Sequence, residues 1–327
     1  MNDAEATPDT REALVSQIPA VDLLVKLGFR YLPPAEAREL RGGRRGQVLL
    51  EPILREQLSA LNRVNWKGVE RPFTADAIDE AIATLRDLPD EGLIQTSEKV
   101  FDLLSLGRSL PQTIGADTRH FTLRYIDWQN PERNVFHVTE EYAVERTRHD
   151  GRVTQPRLDV VLFVNGIPFA VMECKKRGSK TLDEAIGDLR TYQRDDEIPR
   201  FFWYAQILIA TNSEQALYAT ARTPKEFWAR WRENIADSEI LTTLQHLLDP
   251  EEQAKMHWRR DEGPSVLQER TITEQDRTIY GLLRPERLLE MVRHFIIYDG
   301  GVKKIARHQQ VAAVKRAISR VLERGTD

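Results

Sequence analysis

Two short apolar runs separated by an Asn-Gly pair constrain this chain more than any other feature. They are Arg157-Leu158-Asp159-Val160-Val161-Leu162-Phe163-Val164 and Phe169-Ala170-Val171-Met172-Glu173-Cys174-Lys175-Lys176, joined through Asn165-Gly166. Asn-Gly between hydrophobic segments is a strong hairpin signal, because the tight turn that matches strand twist needs positive φ at both central residues. Few charges interrupt the runs, and Asp159, Glu173 and Lys175 stand among valines and phenylalanines. Unpaired charge buried in a sheet is costly, and a cation held between the two carboxylates is the simplest compensation.

Strand alternation decides whether these groups meet. In a regular two-residue hairpin Val164 faces Ile167 and Asp159 falls opposite Met172, which sends Glu173 to the other face. One extra residue shifts the pairing and sets Asp159 opposite Glu173. The pattern therefore predicts a bulge or a three-residue loop near Pro168, which has no N–H to give to a ladder. Lys175 lies two residues beyond Glu173 and shares its face; Cys174 points away but can offer its backbone carbonyl. Two carboxylate oxygens, one carbonyl and waters suit magnesium, with manganese as a substitute. Such a site would place a water against a phosphodiester and stabilise charge that builds in the transition state. Lys175, beside two carboxylates, retains its charge and would act electrostatically rather than as a base. The competing reading is a structural ion pair across two strands, since an acid, a distant acid and a lysine form a loose pattern.

Gln155-Pro156-Arg157-Leu158-Asp159, Val164-Asn165-Gly166-Ile167-Pro168 and Glu173-Cys174-Lys175-Lys176 together resemble the core of the restriction nuclease superfamily, with its acid and acid-x-lysine signature. More narrowly, the chain is similar to the N-terminal part of the motor and cleavage subunit of type I restriction enzymes. Where that family usually reads Arg-Pro-Asp and Glu-Leu-Lys, Leu158 and Cys174 replace neighbours whose side chains leave the catalytic face. The resemblance implies an α/β, restriction-endonuclease-like core, a mixed central sheet flanked by helices, followed by a mainly helical segment that begins a helicase motor. It implies catalytic roles for Asp159, Glu173 and Lys175, with magnesium on Asp159, Glu173 and the Cys174 carbonyl. It also implies cleavage of double-stranded DNA in a cytoplasmic, ATP-dependent complex with modification (methyltransferase) and specificity subunits. A glutamine followed four residues later by a tyrosine is a further family element; Tyr192 is in place, while Asp188 holds the glutamine position. The two share a helix face and would brace the lysine or contact DNA; Tyr192 equally completes an apolar stripe with Leu182, Ala185 and Leu189. Superfamily members carry a glutamate on an early helix near the metal, for which Glu12 and Asp22 are candidates against the plainer reading of a solvated helix face.

Periodicity and punctuation organise the rest. The first ten residues read as disordered, a helix runs from Glu12 towards Leu27 with a kink at Pro19, and the Arg41–Gly46 loop is basic enough to follow a phosphate backbone. Residues 51–63 and 75–107 read as helices, the second broken near Pro89. Strands are expected at 121–127 and 134–146, then the hairpin, a helix at 181–194, a buried strand at 204–210 and a short helix from Glu214. A helix follows Pro285, and another covers about 302–323. Within that last helix, Gln310, or Gln309, resembles the adenine-reading glutamine at the entry of superfamily 2 motors. No Gly-x-x-x-x-Gly-Lys-Ser/Thr loop or Walker B acid occurs before Asp327. The expectation is a nuclease domain over 1–260 and a linker with an incomplete motor over 261–327, without ATP hydrolysis of its own; ATP would serve only the full-length subunit.

A net charge of -4 from 47 basic and 51 acidic side chains is unlike a stand-alone DNA binder. Partner subunits and the motor would hold most of the DNA, helped locally by Arg41, Arg44 and Arg45 and by Lys175, Lys176, Arg177 and Lys180. The single Cys174 excludes an intrachain disulfide and fits a reducing cytoplasm, and no 18-residue apolar run argues for a membrane. The 7 histidines show no zinc spacing. Phe201-Phe202-Trp203-Tyr204 and the set Phe227, Trp228 and Trp231, read at helical spacing, are expected in the core. Two other functions stay open: a docking scaffold that has lost catalysis, and an independent metal-dependent repair nuclease.

Overall fold

The computed structural model describes residues 16–147, 151–178, 180–256 and 271–324. Glu12, the first ten residues and the His149-Asp150 turn lie outside them.

Six strands form the central sheet, and their order across it follows the chain. They are β1 (Arg30–Tyr31), β2 (Phe136–Ala143), β3 (Arg157–Val164), β4 (Ile167–Cys174), β5 (Ile207–Thr211) and β6 (Ala216–Ala219). β1 runs parallel to β2 and β4 parallel to β5, whereas the β2/β3, β3/β4 and β5/β6 pairs are antiparallel, so the sheet is mixed. Every residue of β4 and β5 is buried. Successive side chains point to opposite faces, so both faces of the sheet are covered.

The helices long enough to cover it are α1 (Ile18–Lys26), α2 (Glu51–Leu61), α3 (Ala75–Arg86), α4 (Leu93–Leu106), α5 (Thr181–Tyr192), α6 (Asp237–Gln245), α7 (Glu274–Leu283), α8 (Pro285–Phe295) and α9 (His308–Arg324). α5 packs on β4 and β5, α1 on β1 and β2, and the short helix Pro199–Tyr204 on β4 and α4. α7 packs against α1 and β6, so it shares the hydrophobic core of the sheet. A Thr273–Asp276 capping box starts α7, and Gln275 bonds Ser16 and Thr211. Among the described residues no helix is long and apolar enough to cross a membrane.

The β3–β4 turn carries the fold's tightest local requirement. Asn165 and Gly166 have φ of 52° and 80°, both in the left-handed region. Asn165 is buried: its amide donates to the Tyr125 carbonyl at 2.9 Å, and its oxygen accepts from Val135 N at 2.9 Å. A Cβ on Gly166 would meet the Leu50 carbonyl oxygen at 2.6 Å. Gly166→Ala is therefore expected to destabilise the protein by about 2–4 kcal/mol in urea unfolding. An unchanged midpoint would contradict that account.

Several expectations need correction. Tyr204 ends the helix Pro199–Tyr204, and the strand starts only at Ile207. Glu214 leads into strand β6 rather than a helix. Residues 302–305 are the second strand of a hairpin, Ile296–Asp299 with Val302–Ile305, turned at Gly300-Gly301 with φ of 59° and 75°. The last helix consequently begins at His308. Two hairpins, Arg63–Trp66/Val69–Pro72 and Arg108–Ile114/Asp117–Leu123, occupy stretches where no element is expected between residues 63 and 75 or between 107 and 121, and they turn at Gly68 and Gly115. Lys225–Phe227 is a single 3-10 turn that leaves Phe227 58% exposed, while Trp228 and Trp231 are buried as expected.

Candidate active site

A bulge lies where proline demands one. Pro168 pairs with Phe163 but Ala170 pairs with Leu162, so Phe169 is the extra residue. From there the register runs Val171 to Val161 and Met172 to Val160. One step further sets Glu173 opposite Asp159. The Asp159 carboxylate accepts the Cys174 N–H at 2.7 Å, which ties the first acid to the strand that bears the second. A regular hairpin would have put Met172 there.

Glu173 is 1% exposed. Its Oε1 accepts from Lys175 Nζ at 2.8 Å, and the same ammonium lies 2.9 Å from Asp188 Oδ2 on α5. The expectation that Asp188 braces the lysine thus has a geometric counterpart in an ion pair. Tyr192, one turn along, packs against the core, where Leu182, Ala185 and Leu189 are buried. Burial and the charges of Glu173, Asp188 and Asp159 raise its hydroxyl pKa, which places that hydroxyl in their field.

Electrostatics follow from crowding two acids in an apolar sheet. Burial first, and then the Asp159 charge, push the Glu173 carboxyl well above its ordinary value of 4.5, against the pull of Lys175. Burial pulls the Lys175 ammonium down, but Glu173, Asp188 and Asp159 outweigh it and the net shift is upward. Glu173 Oε2 is buried and has no hydrogen-bond partner among the described residues. An orphaned carboxylate oxygen beside a second carboxylate is a donor set that a hard divalent cation completes. Among the described residues no group of three or more His, Cys, Asp or Glu is arranged to hold a metal ion by itself. The Asp159 and Glu173 carboxylates fit two positions of such a cation, and water would fill the others, as magnesium favours.

Other sequence candidates fall elsewhere. Asp22 is fully buried and pairs with Lys26 at 3.0 Å, so its charge is neutralised within α1. Lys176, Arg177 and Lys180 are exposed just beyond β4; Arg177 Nε lies 3.4 Å from Ser213 Oγ. Arg41, expected on a loop that follows phosphates, is 5% exposed and donates to the Ala143 carbonyl at 2.9 Å. Gln310 accepts the Arg307 N–H at 2.8 Å, closing the first turn of α9.

Two neighbours of the site were not legible in the sequence. Gln17 Nε2 donates to the Asp159 backbone carbonyl at 2.9 Å and to Glu141 Oε1 at 3.0 Å. Glu141 has φ of 51° and falls between the Glu140–Val160 and Tyr142–Leu158 pairs, so it lies level with Asp159. Arg157 pairs with its other oxygen at 3.2 Å. No local pattern announces either residue, because each acts through a strand far away in the chain.

The description "Type I restriction enzyme R protein N terminus" belongs to a family whose model matches residues 9–227. The type I restriction enzyme HindI endonuclease subunit of Haemophilus influenzae is 25% identical over 309 residues, covering 90% of this chain and 25% of that protein. The type I restriction enzyme EcoprrI endonuclease subunit of Escherichia coli is 25% identical over 206 residues, covering 62% of this chain and 56% of that protein. The chain thus spans 25% of the length of the Haemophilus relative. The matched span holds β1 to β6, the bulged hairpin and α5, and on that basis the chain belongs to the family of type I restriction enzyme R protein N termini.

Proposed function

We propose that this chain carries the cleavage site of a type I restriction enzyme and hydrolyses phosphodiester bonds of double-stranded DNA with magnesium. The observation that supports this most is the bulged hairpin, which aligns Asp159 with Glu173 and leaves a buried Glu173 oxygen without a hydrogen-bond partner among the described residues. Magnesium, when bound, supplies a Lewis acid that polarises the phosphate and acidifies water. Asp159 and Glu173 hold the charge needed to bind it, and the backbone N–H of Cys174 fixes the orientation of Asp159. Lys175 stays an ammonium, offering a fixed positive charge to the negative charge that builds on the phosphate oxygens. Asp188 restrains that ammonium from the helix side, so its position is set before DNA arrives. Modification and specificity subunits, with ATP-driven translocation by the full-length subunit, complete the proposed setting.

Manganese titration followed by electron paramagnetic resonance tests the metal site directly. One bound ion is expected in the wild-type chain, lost in Asp159→Asn and Glu173→Gln and kept in Tyr192→Phe. Absence of binding in the wild type would favour the docking scaffold instead.

A further inference from the structure

A cavity of about 830 Å3 opens between the Leu40–Leu49 segment, α2, the end of α3 and Arg200. Five guanidinium groups line it, from Arg41, Arg44, Arg55, Arg86 and Arg200, against the carboxylates of Glu51 and Asp87. Arg86 uses both acids, at 3.2 Å and 2.7 Å. Arg55 turns to Asp79 outside the lining. Arg44 is exposed and makes no ion pair among the described residues.

The two remaining arginines are the informative ones. Arg41 is buried, stacks 4.1 Å from the centre of the Tyr142 ring and is held by backbone carbonyls, with no carboxylate partner among the described residues. Arg200 donates through Nη2 to the Arg86 carbonyl at 2.7 Å, while its Nε is buried without a hydrogen-bond partner among the described residues. A buried guanidinium lacking a counter-charge and a buried N–H lacking an acceptor both call for an anion. Such a surplus in a chain of net charge -4 is local by construction. Guanidinium forks match the paired oxygens of phosphate. The cavity is also tied to the cleavage strand: Arg41 grips the carbonyl of Ala143, whose β-partner is Arg157, two residues before Asp159.

We propose that this cavity is a phosphate-binding site that holds the DNA backbone beside the strand bearing Asp159. Its identification with DNA rests on the nuclease reading; the need for an anion does not. Arg41 and the buried Nε of Arg200 form the base of the site, and Arg44 and Arg55 are the exposed donors at its rim.

The test is fluorescence anisotropy of a short labelled duplex with this chain in EDTA, repeated over a range of salt. An Arg44→Gln/Arg55→Gln double variant is used because Arg44 makes no ion pair among the described residues and an exposed pair such as Arg55–Asp79 contributes little to folding. The double variant is expected to melt as the wild type does and to bind on the order of tenfold more weakly, its log K against log salt shallower by about 0.9 for each phosphate it no longer neutralises. Unchanged affinity and slope would overturn the proposal. Equal displacement of the duplex by polyglutamate would overturn it too, in favour of an acidic protein segment. Metal-dependent cleavage separates the two readings: its absence from the wild-type chain in its complete complex would sink the nuclease assignment and its retention in Asp159→Asn would remove Asp159 from the site, while the binding result stands or falls alone.

Discussion

Under the proposed function, Lys175→Ala is expected to lower cleavage by the assembled enzyme by about three orders of magnitude, the cost of removing one preorganised charge from a phosphoryl transition state. Asp159→Ala and Glu173→Ala should do at least as much, because each removes half of the carboxylate set, while ATP-driven translocation continues. Full cleavage by any one of the three variants would remove that residue from the site. The same site gives a stability signature that needs no activity. Glu173 holds its proton more tightly folded than unfolded, so its contribution is full below the ordinary value of 4.5 and is lost as pH rises above it. Just above pH 4.5 the metal-free protein should therefore weaken as pH rises, Glu173→Gln should lessen that slope while the share of Glu140, raised by burial to about 7, remains, and magnesium should restore stability to the wild type alone. Parallel melting curves for the two proteins, with and without magnesium, would contradict this.

Lys303 should produce the largest pH effect on folding. It sits on the 296–305 hairpin, 1% exposed, and donates to Ser97 Oγ at 3.1 Å, the Ala205 carbonyl at 3.2 Å and Gln206 Oε1 at 2.8 Å. The Tyr298 ring lies 5.5 Å away, and burial lowers the ammonium pKa from 10.5 to about 7. A lysine depressed in this way binds fewer protons folded than unfolded above pH 7, so stability rises with pH across that window. Linkage sets the total at about 4 kcal/mol between pH 7 and the unfolded value. Measurement should stop below pH 10, because burial raises Tyr125, Tyr142, Tyr218 and Tyr298 above their ordinary value of 10.0 and works in the opposite direction there. Lys303→Met is expected to flatten the curve, since it keeps the stem packed and removes the titrating group. Identical pH dependence in urea unfolding would show that the ammonium is solvated in the native state.

The hairpin was legible because its determinants are local. Asn165-Gly166 specifies the turn, the apolar runs specify buried strands, and Pro168 cannot sit in a regular ladder, so even the bulge follows from composition. The break between α3 and α4 was equally legible at Pro89. Glu214 and residues 302–305 misled for the opposite reason. Short segments with mixed patterns take the structure their neighbours demand: residues 216–219 pair with β5, and Lys303 is drawn inward by acceptors from α4 and from Ala205 and Gln206.

At the site, the chain alone determined which groups share a face: Glu173 with Lys175 by a two-residue step, and Asp188 with Tyr192 by one helical turn. Tertiary structure decided which of them touch. It joined Lys175 to Asp188 across a strand and a helix, withdrew Asp22 into a pair with Lys26, and brought Gln17 and Glu141 to Asp159. The reason is range: periodicity fixes direction within one element, whereas contact between elements depends on the packing of the whole core, which no window of sequence contains.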